Sequence, residues 1–315
     1  MVYQVLVDEA LPDEMMAMLA ADCEFAVWPT GPEDLAPLLG SAEGLFTYGH
    51  PRVDGDLLDR MPRLKVISNF GVGVDHIDLD AARQRGIPVG NTPGILDGAT
   101  ADMTFALLLA AARNLVAGDC YARTDAFTHY DPNLLLGQEV HGATLGIVGM
   151  GNIGRQVARR ARGFDMTVLY HNRRRDPRAE AELGAIYVTL PDLLRQADFV
   201  TLNVPLTSET RGLIGREQLA LMKPAAMLIN AARGGVVDHE ALLAALEQGQ
   251  IGGAALDVTE PEPLPRNHPL LKLDNVIIVP HLGSATHQTR RKMAELSIAN
   301  LRAGLLGEEL PSRAA

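Results

Sequence analysis

Three side-chain types in the second half of this 315-residue chain could together reduce a carbonyl: a guanidinium, a carboxylate and an imidazole. Arg233 stands in LINAARGGVVD (228–238), just past an apolar run and against Gly234 and Gly235. A guanidinium at such a strand end can clamp a carboxylate and polarise its neighbouring carbonyl. Glu262 lies in LDVTEPEPLP (256–265), where three prolines hold the segment open, and His281 lies in NVIIVPHLGSAT (275–286), again after an apolar run. Singly, each has a plainer reading: a capping or surface Arg, a solvated loop Glu, a structural His. Together they supply a substrate clamp, an acid and a group that keeps that acid charged, because a carboxylate beside His281 favours the imidazolium and orients the ring. From the residues this is a triad by inference only.

Such chemistry needs a hydride donor, and LGIVGMGNIGRQVARR (145–160) reads as its holder. An apolar strand leads into Gly149, which allows the sharp turn. Gly151 lets backbone approach a pyrophosphate, and Gly154 lets the following helix pack close. Unpaired N–H groups and the positive end of the helix dipole then favour the phosphates. A second strand, MTVLY at 166–170, closes the unit. An NAD site would place an acid about 20 positions past the glycines. Here the chain reads Tyr170-His171-Asn172-Arg173-Arg174-Arg175. Asn172 replaces the carboxylate that would repel a 2′-phosphate, and Arg173 or Arg174 can grip one bidentately. That predicts NADP, although the plainer reading of the basic run is a solvated loop and an Asn plus Arg site still admits NAD.

The elements that must position these residues follow from apolar periodicity. Strands are expected near 2–7, 24–28, 43–47, 64–68 and 87–89, alternating with helices that start at Pro12-Asp13 and Pro32-Glu33-Asp34. The first three strands run into Asp8-Glu9, Pro29-Thr30-Gly31 and Gly49-His50, none of which makes a phosphate loop, so this half is expected to be a substrate domain. A long helical pattern from Pro93 to Gly118 is apolar on nearly every face, and a second helix and irregular arm follow over 119–142. Further strands are expected at 186–188, 198–202, 226–230, 253–257 and 275–279. The last amphipathic helix, Thr286 to Leu306, comes after that sheet is complete and is expected to return to the first domain. The fold class is α/β, with two doubly wound parallel-sheet domains.

Composition bounds the partners. A formal net charge of −11 disfavours general affinity for nucleic acid or an anionic membrane surface. Cys23 and Cys120 have neither disulfide nor metal-ligand spacing, so no metal is expected. The N-terminal VYQVLV lacks a signal-peptide pattern, and the uncharged run Met103 to Ala112 is too short to span a bilayer. A cytoplasmic enzyme fits these bounds.

The chain resembles the D-isomer-specific 2-hydroxyacid dehydrogenases along essentially its whole length, through GMGNIG (149–154), NAARGGVVD (230–238), LDVTEPEP (256–263) and PHLGSAT (280–286) in the family's order and spacing. The resemblance implies a Rossmann-type cofactor domain and a flavodoxin-like substrate domain with a cleft between them. In this chain they are residues 99–284 and residues 1–98 with 285–315. It implies that Arg233 binds the substrate's carboxylate and carbonyl, that His281 is the acid/base, and that Glu262, not Glu260, is its partner. It further implies substrate-carboxylate binding by the amides of Val72 and Gly73 in GVGVDHID (71–78). Cofactor binding falls to Gly149, Gly151, Asn152, Ile153, Gly154, Asn172, Arg173 and Arg174, with Thr100 near the cofactor and Asp257 near the nicotinamide carboxamide. A homodimer built through the 99–116 helix is also implied. Asn-Arg-Arg and DVTEPEPLPRNHPLLKL look most like the NADPH-dependent glyoxylate/hydroxypyruvate reductases and 2-ketogluconate reductases. The expected substrate is accordingly a small 2-oxoacid, reduced to the D-2-hydroxyacid. The alternatives are an NAD-dependent branch acting on a D-hydroxyacid, phosphoglycerate or phosphite, and a non-enzymatic dinucleotide sensor.

Overall fold

Short β-branched and aliphatic runs become parallel strands because the helices between them can cover both faces of each sheet. A computed structural model of the chain describes residues 2–19, 22–29 and 32–314; Thr30 and Gly31 of the Pro29-Thr30-Gly31 segment lie outside them. The chain divides into two units, residues 1–96 with 286–315, and residues 97–285.

In the first unit the strands are β1 (Tyr3–Val7), β2 (Cys23–Val27), β3 (Gly44–Thr47), β4 (Val66–Asn69) and β5 (Val89–Gly90). They pair in parallel in the order β2-β1-β3-β4-β5, a flavodoxin-like arrangement. The helices are α1 (Asp13–Leu19), α2 (Pro32–Ser41), α3 (Gly55–Asp59) and α4 (Leu79–Gln84). Asp54 and Asp78 cap the last two by accepting from Leu57 N (3.1 Å) and Ala81 N (2.8 Å). The C-terminal helix of this unit, His287–Leu306, starts at the Thr286 cap and packs on β3 and β4. A Cβ added at its Gly304 would collide with Val66, so helix and sheet touch closely there, and Ser68 Oγ donates to the Ser297 carbonyl at 2.7 Å.

The second unit opens with α5 (Asp97–Ala112) and α6 (Leu115–Ala122), where the sequence suggests one helix over 99–116 and a second after 119. Asn114 adopts left-handed torsions (φ 48°), which breaks the helix and bends its two parts by 62°. The expected dimer helix is therefore two elements. Phe105, Leu107 and Leu108 on α5 are buried, each contributing roughly 1.5–3 kcal/mol by burial, whereas Leu115 and Val116 on α6 are exposed. Among the described residues no single helix is long and apolar enough to cross a membrane. The bent α5–α6 pair meets that test only jointly, by length and composition.

Seven strands follow: β6 (Thr144–Val148), β7 (Thr167–His171), β8 (Ile186–Tyr187), β9 (Phe199–Leu202), β10 (Met227–Asn230), β11 (Gly253–Leu256) and β12 (Val276–Ile278). Between them run α7 (Asn152–Ala161), α8 (Pro177–Leu183), α9 (Leu190–Gln196), α10 (Arg216–Leu219) and α11 (His239–Glu247), which makes the C-terminal helix α12. The parallel order β12-β11-β10-β9-β6-β7-β8 reverses direction at β6, so the chain leaves β7 on one side of it and β9 on the other. This is the doubly wound dinucleotide arrangement, in which ligands bind beyond the carboxyl ends of the strands at the switch point. Gly304→Ala should destabilise the first unit by about 1–3 kcal/mol through overpacking against Val66. Chemical denaturation checks this, and an unchanged midpoint would contradict the close packing.

Candidate active site

At the switch point, Gly149 has φ +100°, and a Cβ there would stand 2.6 Å from the Asn203 carbonyl oxygen. A Cβ at Gly154 would strike the Gly149 carbonyl, but one at Gly151 would project into open space. Gly151 is also the N-cap of α7, with extended torsions and no side-chain cap. Open space in front of uncapped helix amides fits an anionic group such as a pyrophosphate. Burial raises the Asp97 carboxyl, and Asn152 acts to lower it. Asn172 braces the turn by accepting from Met150 N at 2.7 Å.

The basic run divides in three. Arg173 is 88% exposed and its Nη1 lies 3.0 Å from Glu209 Oε2. Arg174 is exposed, and Arg175 is drawn onto Glu180 (2.7 Å) and over the Tyr187 ring.

The expected triad comes together at the carboxyl ends of β10, β11 and β12. His281 Nδ1 lies 2.8 Å from Glu262 Oε1, with both side chains about a third exposed (34% and 40%). Burial pushes the Glu262 carboxyl up, but the hydrogen bond and charge of His281, a backbone bond from Thr259 and the charge of Arg233 outweigh it. The net effect holds the group below its ordinary value. Glu260 is committed elsewhere, to Arg211 at 2.7 Å, so the structure separates the two glutamates of the motif. Arg233 leaves β10 with its carbonyl accepting from Asn230 Nδ2 (2.9 Å). The next residue must be glycine, because a Cβ at Gly234 would collide with the Thr259 carbonyl, whereas one at Gly235 would displace only the Glu260 carboxylate.

His281 has φ 53°, a left-handed conformation uncommon outside glycine. Asp257, 2% exposed, sustains it: its carbonyl accepts from His281 N (2.9 Å), and its two carboxylate oxygens accept from Leu282 N (2.6 Å) and Gly283 N (2.9 Å). Burial raises the Asp257 carboxyl against the lowering effect of those bonds and of His281. Buried Thr100 adjoins the same turn, its Oγ1 3.5 Å from a Cβ built on Gly283.

Val72 and Gly73 belong to the first unit, in the loop after β4. Asn69, fully buried and unremarked in the sequence reading, organises that loop. Its Nδ2 donates to the carbonyls of Gly71 and Gly73 (3.0 Å each), while its Oδ1 accepts from Thr47 Oγ1 (2.9 Å). Asn91 Nδ2 takes the Val72 carbonyl at 3.0 Å. With the carbonyls tied back, the amides of Val72 and Gly73 have no acceptor among the described residues, as an anion-binding loop requires. The only signal for Asn69 is an amide residue ending an apolar strand.

A glycine turn at a parallel switch point, with charged side chains gathered where the neighbouring strands end, defines a dinucleotide-dependent oxidoreductase fold. Residues 105–283 match the family described as D-isomer specific 2-hydroxyacid dehydrogenase, NAD binding domain, and the chain belongs to that family. It is 45% identical to the glyoxylate reductase of Pyrococcus furiosus, over 98% of this chain and 94% of that protein. The crystal structure of a Thermus thermophilus protein superposes with a TM-score of 0.91 at 46% identity, covering 99% of this chain and all of that one. A third relative is the NADPH-dependent glyoxylate/hydroxypyruvate reductase of Sinorhizobium meliloti, solved with NADP and malonate. It gives a TM-score of 0.89 at 31% identity, over 99% of this chain and 97% of that one.

Because the Glu262 value is depressed on folding, its contribution to stability is complete above the ordinary value of 4.5 and fades as pH falls through the lower folded value. The melting-temperature difference between wild type and Glu262→Gln should therefore shrink as pH drops from about 5.5 to about 3. A difference constant across that range would contradict the pairing.

Proposed function

We propose that this chain reduces glyoxylate, hydroxypyruvate and 2-ketogluconate to D-2-hydroxyacids with a preference for NADPH. The observation that carries the reading is the 2.8 Å contact between His281 Nδ1 and Glu262 Oε1, with the charge of Arg233 acting on the same carboxyl. Glu262 faces Nδ1, and Nε2 is assigned the delivery of the proton to the substrate's carbonyl oxygen. Arg233 binds the substrate's carboxylate and polarises the carbonyl. The amides of Val72 and Gly73 offer neutral donors to a substrate carboxylate.

Gly149, Gly151 and Gly154, with the amides of Asn152 and Ile153, hold the pyrophosphate of the dinucleotide. Asn172, Arg173 and Arg174 face its adenosine end, and Thr100 and Asp257 its nicotinamide end. When bound, the reduced nicotinamide supplies the hydride for the keto carbon. The names of the Pyrococcus and Sinorhizobium relatives support the substrate class, and the missing acid at Asn172 supports NADPH. Exposed Leu115, Val116 and Leu136 support a homodimer through the α5–α6 region.

Wild type should oxidise NADPH faster than NADH against glyoxylate and hydroxypyruvate. His281→Ala should lower kcat about 10²- to 10⁴-fold while leaving the NADPH Kd unchanged. Steady-state kinetics with fluorescence titration of NADPH checks both; parallel loss of turnover and binding would contradict the role of His281.

A further inference from the structure

The loop after β9, Asn203 to Arg211, carries a carboxylate to the place where the end of β7 lacks one. Its start lies against the glycine turn, since a Cβ on Gly149 would stand 2.6 Å from the Asn203 carbonyl oxygen and 2.8 Å from Val204 Cγ1. β7 and β9 flank β6 on opposite sides, so the Arg173–Glu209 pair ties the two loops that border the carboxyl end of β6. Glu209 is not carried on slack chain. Thr210 Oγ1 donates to the Pro205 carbonyl (2.6 Å) and accepts from Thr207 N (2.8 Å), and Arg211 N donates to the Thr207 carbonyl (2.9 Å). The neighbouring cation, Arg211, is committed to Glu260. Arg173 and Glu209 are 88% and 67% exposed, and an ion pair that open adds little to stability, which leaves its charges for a ligand.

We propose that Glu209 is a cofactor-specificity residue that works against Arg173; this rests on the NADPH reading above. Arg173 attracts an adenosine 2′-phosphate, for which it must give up Glu209. Glu209 repels that phosphate and accepts from the ribose hydroxyls of the unphosphorylated dinucleotide. That is the task usually given to an acid at the end of the second strand, a position held here by Asn172 with its amide oxygen spent on Met150 N. The opposed pair gives the site a graded preference and keeps NADH usable.

The test is the Kd of NADPH and NADH by fluorescence titration, and of adenosine 2′,5′-bisphosphate and AMP by calorimetry, for wild type, Glu209→Gln and Arg173→Ala. Glu209→Gln should tighten NADPH and the bisphosphate about threefold to fivefold, the scale of one exposed charge interaction, and weaken NADH and AMP. Arg173→Ala should weaken NADPH and the bisphosphate about tenfold and leave NADH within about twofold. If Arg173→Ala behaves so but Glu209→Gln shifts neither cofactor, or shifts both equally, the role of Glu209 is overturned and the NADPH reading stands. If Arg173→Ala fails to weaken NADPH selectively, the 2′-phosphate site itself is overturned, and this proposal with it.

Discussion

The placement of the His281 ring hangs on one buried carboxylate. Asp257 follows β11 directly and uses three acceptor positions on the turn after β12, its carbonyl for His281 N and its two side-chain oxygens for Leu282 N and Gly283 N. A positive φ at a residue with a Cβ costs of order 1 kcal/mol or more, and it persists only where the surroundings over-determine it. Here three hydrogen bonds to one residue do so, and the imidazole is thereby presented to Glu262. Glu262 depends in turn on the approach of the β10 and β11 loops, which Gly234 permits by offering no Cβ to the Thr259 carbonyl. Imidazole, carboxylate and guanidinium are thus set by backbone contacts among three adjacent strand ends.

The glycine turn obeys a related constraint with the opposite outcome. Gly149 and Gly154 are filled against by their surroundings, whereas Gly151 faces space. Two glycines make the turn compact, and the third leaves its front open to an anion. Around this opening the protein places charges of both signs, although its net charge is −11. Local arrangement, and not overall charge, governs what such a site attracts.

The residues visible in the sequence were those whose chemistry is rare at their position: glycines between a strand and a helix, and Arg, Glu and His beside the ends of apolar runs. Both parallel sheets were legible for the same reason, since each strand is a short apolar segment bounded by turn residues. The break between α5 and α6 was not. LLLAAARNLVAG has similar helix-forming composition on both sides, and a single left-handed torsion at Asn114 decides the matter. Asn69 and Glu209 were hidden because their roles depend on strand order. An Asn or a Glu in a loop looks ordinary until the sheet shows which loops adjoin it. Asp257 was placed by resemblance near the nicotinamide, and the structure adds its hold on the His281 turn, which no spacing rule conveys.

The most direct test of this account is ¹⁵N NMR of the His281 ring at neutral pH in wild type and in Asp257→Ala. Wild type should show a proton on Nδ1, shifted downfield by its hydrogen bond to Glu262, and the Asp257→Ala chain, still folded, should lose that signature. A neutral ring protonated on Nε2 alone in wild type, or an Nδ1 signal unchanged by removing the Asp257 carboxylate, would contradict the claim that Asp257 sets the His281 ring in place.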